Sequence, residues 1–138
     1  MAKELRTKLG NMEYDGLITG LNPPTRVEGG VIAKLSAAAI YKRGTLLAKS
    51  AKDGLLHILG EEPPAPASGE TADTYTPDCI LCDDTEVGTT DDTPVDVYAA
   101  GCFNPEKVTV AEGYTITQAD KDKLRAYSIV FKAATPAP

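Results

Sequence analysis

Tryptophan is absent, only two phenylalanines and six tyrosines are present, and histidine occurs once. So sparse an aromatic content argues against a carbohydrate-binding or enzymatic β domain, whose concave pocket would need rings and convergent polar groups. With His57 the sole imidazole, every acid–base or triad mechanism that requires one depends on that residue. Three cysteines, an odd number without a dense framework, argue against a disulfide-stapled secreted fold and are read as reduced thiols. No stretch approaches the run of about 18 apolar residues that a membrane span requires. Residues 1–10 alternate charge with leucine where a signal peptide would carry an apolar block. A soluble protein made in the cytoplasm, with no membrane partner, is expected.

Lysine and arginine are missing altogether between Asp53 and Glu106, where thirteen acidic side chains fall. Residues 1–52 hold nine basic and four acidic groups and residues 107–138 five and three, so the net charge of −6 conceals a strong segregation. An acidic centre speaks against nucleic acid as a partner. It either keeps the fold soluble or steers docking onto another surface. What the chain has in quantity is turn chemistry, with 12 glycines and 10 prolines beside a hydrophobic content of 42% that suits one domain with a thin core.

Along the chain, the first 24 residues end in the turn former Leu21-Asn22-Pro23-Pro24 and sustain no period of two or 3.6, so they read as a flexible arm. Tyr14 to Gly20 could form a short extended segment within it. Residues 25–133 then read as one β-rich domain. Thr25 to Leu35 reads as extended structure interrupted by a turn at Gly29-Gly30, with Val31-Ile32-Ala33 beginning the first core strand; a turn at Arg43-Gly44 feeds a second, and Lys52-Asp53-Gly54 between two apolar runs is a hairpin signal. Residues 61–78, with four prolines, read as an exposed loop that buries too little apolar area to offset its ordering. Cys79-Ile80-Leu81-Cys82 reads as a buried strand, residues 83–94 as an acidic turn region and Val95 to Phe103 as a strand completing a second hairpin. One helix is expected over residues 118–126, with Thr117 as N-cap, Asp120 completing a near capping box, and Ala119, Leu124 and Tyr127 facing the core. Ser128 to Lys132 reads as a closing strand and residues 134–138 as a disordered tail. The fold class expected is α+β, mainly β: a compact domain of short hairpins with one short C-terminal helix and an N-terminal arm.

No constellation in the sequence carries chemistry, and no catalytic, cofactor-binding or metal site is assigned. Cys79 and Cys82 are spaced as in zinc and redox sites, but on a strand residues three apart point to opposite faces, and no second pair of ligands follows. His57 reads as a structural strand residue on the solvent face. Ser36 and Ser50 lack a nucleophile-elbow context. The pairs Asp83-Asp84 and Asp91-Asp92 match neither calcium-loop spacing nor a glycosidase dyad and read as solvated turns. Gly29-Gly30 has no phosphate-loop context.

Four pieces follow in order between Ile40 and Lys132: Tyr41-Lys42-Arg43-Gly44-Thr45-Leu46-Leu47-Ala48; Cys79-Ile80-Leu81-Cys82-Asp83-Asp84; Val97-Tyr98-Ala99-Ala100-Gly101-Cys102-Phe103-Asn104; and the closing helix followed by Ser128-Ile129-Val130-Phe131-Lys132. In these pieces and their order the sequence resembles the head decoration proteins of lambda-type tailed phages. The resemblance implies a β-tulip-like domain without enzymatic activity, found on the outer capsid surface of the virion after synthesis in the host cytoplasm. It implies homotrimers at three-fold and quasi-three-fold positions of the expanded head, bound to the major capsid protein and stabilising it against internal DNA pressure. The cysteines of the apolar strand, the Pro-rich segment and the longer arm depart from the family pattern. Leu9, Met12, Tyr14, Leu17 and Ile18 are the residues expected to carry the arm's contact with the capsid. A head–tail adaptor or tail-surface protein is the alternative of the same structural kind, and a small carbohydrate-binding module one of a different kind.

Overall fold

The longest β alternation in the chain, Thr93–Phe103, forms the strand around which the rest of the domain is arranged. The computed structural model describes residues 16–133. In chain order the strands are β1 Ile18–Gly20, β2 Arg26–Ile32, β3 Ala39–Tyr41, β4 Leu46–Ser50, β5 Leu56–Ile58, β6 Tyr75–Leu81, β7 Thr85–Val87 and β8 Thr93–Phe103, followed by helix α1 Gln118–Ala126 and β9 Ile129–Phe131. Among the described residues the fold is mainly β with one short helix, as the composition and turn spacing predict.

β8 closes a small barrel. It pairs antiparallel with β2 along its first part and with β6 at Tyr98 and Val97, while β2, β5, β4 and β6 are hydrogen-bonded in that order, so the sheet returns to its starting strand. β4 and β5 form the hairpin signalled by Asp53-Gly54, with Ala48 opposite His57. Beyond the barrel, Gly101 to Phe103 of β8 are flanked by β1 on one side and by parallel β9 on the other.

Because successive strand residues face opposite sides, neighbouring residues of β4, β6 and β8 serve two cores. Ile32, Leu47, Leu56, Cys79, Leu81 and Val97 come from all five barrel strands and fill its interior together with Val87. Leu46, Ile80 and Tyr98 lie on the other face and pack with Leu17, Phe103, Leu124 and Ile129 under α1. Each such side chain, taken fully from water, contributes about 1.5–3 kcal/mol.

Several expectations are corrected. The arm boundary at residue 24 is too late, because β8 outruns β2 and its last residues need another partner. β2 ends its ladder at Ala100, and β1 takes over at Cys102 and Phe103. Leu17 is 1% exposed, and its carbonyl accepts from the Asn104 N–H at 2.7 Å. Only residues 21–25 leave this ladder, in a loop that contains a cis Asn22–Pro23 bond and presents Leu21 almost wholly to solvent. The Pro-rich segment ends sooner than residue 78, since β6 starts at Tyr75 and buries Pro77 at a bulge, a position where a missing N–H is tolerated. The acidic stretch 83–94 includes β7, which pairs with β3 and buries Val87 completely. Residues 134–138 lie outside the described residues.

The helix spans the residues expected, with both capping-box hydrogen bonds formed, but its buried face is different. Ala119 is exposed and Tyr127 half-exposed, while Asp120 is buried beside Leu124. The Asp120 carboxylate accepts from the Thr117 N–H at 3.1 Å and from the Tyr114 hydroxyl, so its desolvation is offset by hydrogen bonds that the helical period alone does not reveal.

Candidate functional site

The groups with chemical potential are held in structural roles. Cys79 lies in the barrel interior and Cys82, one residue beyond the end of β6, in the core beneath α1, so they face opposite sides as their spacing predicts. Both are free and buried. Burial, reinforced by Asp78, pushes the Cys79 thiol far up, and burial with Asp83 pushes Cys82 up to about 12. Thiols of this kind are poor nucleophiles and poor metal ligands at neutral pH. Among the described residues no three His, Cys, Asp or Glu side chains converge on a possible metal position.

His57 is not on a solvent face. Its side chain is 15% exposed, stacks on Tyr75 with centroids 4.1 Å apart and planes 11° apart, and places Nδ1 3.2 Å from Oε2 of Glu61. The stack closes the side of the β4–β5 hairpin against the start of β6. Burial, followed by Glu61, Asp73 and Asp53, raises the Tyr75 phenol. Ser50 donates to the Asp73 carboxylate, which also accepts from the Lys52 and Thr74 N–H groups. This holds the Asp73 carboxyl below its ordinary range, the Ser50 bond contributing most. The Ser50 hydroxyl therefore meets a carboxylate, and the imidazole of His57 serves elsewhere.

The paired acids fasten turns. Asp84 accepts from the Arg43 N–H at 2.8 Å and faces Lys42 at 3.6 Å, whereas Asp92 accepts from the Lys34 N–H at 2.9 Å. Arg43 then reaches inward, donating to the Cys82 carbonyl at 2.9 Å and to the Tyr98 hydroxyl, with its guanidinium 5.3 Å from the centre of that ring. Burial raises the Tyr98 phenol and Arg43 opposes it. The sequence marks Arg43 only as a turn residue, and nothing local announces that it bridges β6 and β8.

Clefts are shallow and open; one of about 300 Å³ between α1 and β9 is lined by Gln118, Lys121, Asp122, Arg125 and the β9 residues. The features suited to contact with another macromolecule lie on the sheet instead. Leu21 is 88% exposed at the tip of the loop between β1 and β2, Ile40 is 61% exposed on β3, and Val27 and Val31 stand out from β2. Of the residues expected to contact a capsid, Leu17 is inside the core and Ile18 is half-buried opposite Phe103, so neither extends away from the domain. Leu9, Met12 and Tyr14 lie outside the described residues. The turn expected at Gly29-Gly30 is not formed: β2 runs unbroken from Arg26 to Ile32, with both glycines paired to β8, and nothing in the segment itself shows that its other side remains at an edge.

No helix among the described residues is long and apolar enough to cross a membrane. No protein-family model matches the chain, and no curated protein matches it.

Proposed function

We propose that the protein decorates the outer surface of a tailed-phage head, binding the major capsid protein as trimers at three-fold and quasi-three-fold positions and stabilising the expanded shell against internal DNA pressure. The observation that carries the reading is the contiguity of the four sequence pieces behind the resemblance. Three of them supply β4, β6 and β8, with β6 paired to both of the others, and the fourth supplies α1 and β9, which cover that sheet. Segments that match in order and also form one packed layer support a common architecture more strongly than scattered matches would.

In this reading β1 is the root of the arm, fixed by Leu17 and by pairing with β8, and the capsid contact belongs to residues before Gly16. Leu9, Met12 and Tyr14 are its proposed contacts, laid along an exposed strand edge of the capsid protein where main-chain hydrogen bonds supply affinity and side chains supply register. Three copies around one axis act together, so a weak contact per arm suffices.

Co-sedimentation with expanded, undecorated heads tests this, with bound copies counted per capsid subunit. Saturation near one copy per subunit is expected, and deletion of residues 2–15, which spares β1, should abolish binding while leaving the circular dichroism spectrum unchanged. A handful of copies per particle would instead indicate an adaptor or tail position, and no binding would refute the reading.

A further inference from the structure

β2 is paired with β8 along its whole length, but its other edge is covered only at one end, where Ile32 pairs with Leu56 and the Ala33 N–H donates to the Leu56 carbonyl at 3.0 Å. Main-chain groups alternate sides along a strand. Since Ala33 points toward β5, Val31, Gly29 and Val27 point the same way, and from Gly29 back to Val27 no described strand meets them. Pro94 of β8 stands opposite Val31, a position that needs no N–H toward β2, which agrees with this alternation. The irregularity in the β2–β8 ladder falls on β8, where Ala99 is the extra residue, and leaves β2 itself regular. Arg26, Val27, Glu28 and Gly29 are all exposed. Open edges of this kind are normally blunted by charged side chains, above all lysine, by proline or by a bulge; Val27-Glu28-Gly29-Gly30-Val31 has no lysine, proline or bulge, and its one charge, Glu28, is paired with Arg26 of the same strand.

We propose that this edge pairs with β2 of a second copy of the chain, antiparallel about a two-fold axis with Val27 opposite Val27. The charges on the strand select both the occupant and the register. Arg26 and Glu28 share one face, with Nη2 and Oε2 3.6 Å apart, and both side chains are more than half exposed. Only registers that set odd-numbered residues opposite one another bring the free main-chain groups face to face. Setting Val27 against Gly29 places Glu28 directly against Glu28 of the second copy, a like-charge pair that opposes association. Setting Gly29 against Gly29 drives Arg26 of the second copy toward Ile32, where Leu56 of β5 already lies. With Val27 against Val27, each Arg26 faces a Glu28 across the strands, the two valines meet on the opposite face, and Gly29 and Gly30 offer no side chain to obstruct the approach. The pairing uses neither Leu9, Met12 nor Tyr14 and does not rest on head binding; with a three-fold contact it would link one trimer to the next.

Sedimentation velocity of the full chain, up to about 1 mM so that weak association is populated, measures the pairing. Gly29→Pro removes one edge N–H on the side away from β8, and the weight-average mass is expected to fall toward half, that of the unpaired species. Glu28→Lys and Arg26→Glu should each abolish association alone, because each makes the facing charges alike. Mixed in equal amounts, the two variants should associate with each other. A wild-type chain that stays monomeric, or a mass unchanged in all three variants, overturns the proposal without bearing on head binding. Unchanged circular dichroism in each variant separates lost pairing from lost folding.

Discussion

Replacing Leu17 with alanine tests whether the chain before β2 is built into the domain. Leu17 is 1% exposed and packs in the core beneath α1, close enough to Gly44 that a Cβ there would lie 3.3 Å from its Cδ1. Truncation removes three buried carbons from a site walled by strands that cannot collapse inward, so the cost should be about 3 kcal/mol, within the range of 2–5 seen for buried leucines. The Asn104 hydrogen bond to the Leu17 carbonyl survives the substitution, which confines the loss to packing. With a urea dependence of about 1.5 kcal/mol per molar, the unfolding midpoint should fall by about 2 M. Leu21, four residues on and 88% exposed, is the internal control. Leu21→Ala should change stability by less than about 0.5 kcal/mol. Denaturation followed by far-ultraviolet circular dichroism compares both variants with the parent. Equal midpoints for the two variants, or no shift for Leu17→Ala, would refute the docking of this segment.

Gly44→Ala should destabilise the domain by at least 1–3 kcal/mol, a magnitude typical of backbone strain and overpacking, because Gly44 has φ +94° and an added Cβ would lie 2.7 Å from the Lys107 carbonyl oxygen; thermal melting reads the loss. All three cysteines should resist a thiol reagent at pH 8 in the native protein and react fully in denaturant, since each is buried; a native thiol titrating at once would refute the burial. Stability should also carry an acid limb from Asp73, whose carboxyl the Ser50 hydroxyl holds below its ordinary value of 3.8. A lowered folded pKa gives stability that is complete above the unfolded value and lost as pH falls through the folded one. In Ser50→Ala that limb should become shallower, as measured by urea unfolding at a series of acidic pH values.

The elements easiest to read were those whose cause is local. Thr117 and Asp120 mark the helix start because both capping hydrogen bonds are made within three residues, and Asp53-Gly54 marks its hairpin because the turn dictates the pairing. The burial of Cys79 and Cys82 on opposite faces follows from strand period alone. What escaped was decided at long range. The extended segment within Tyr14 to Gly20 was readable, but its place in the domain was not, because β1 is held by Cys102 and Phe103 of β8; likewise Asp120 is buried because Tyr114 comes to meet it. Val87 reads as part of an acidic turn until β3 is placed beside it. For the site the gap is wider: an edge strand is defined by what does not pair with it, which no single segment encodes.

Gly101 illustrates how one residue can serve the shared strand. Its φ is +148° and an added Cβ would lie 2.8 Å from the Phe103 ring, so the chain bends there from the barrel into the small sheet with β1 and β9. That division within β8 has a consequence for synthesis. The barrel strands have all left the ribosome once β8 emerges, yet Phe103 still lacks its parallel neighbour, and Leu124 and Ile129 have yet to cover the outer core. Contacts of such long sequence separation place the domain among folders that need milliseconds to seconds. Completion therefore waits for the last strand, and translation stopped before α1 leaves the apolar face of β4, β6 and β8 open to chaperones, proteases or aggregation.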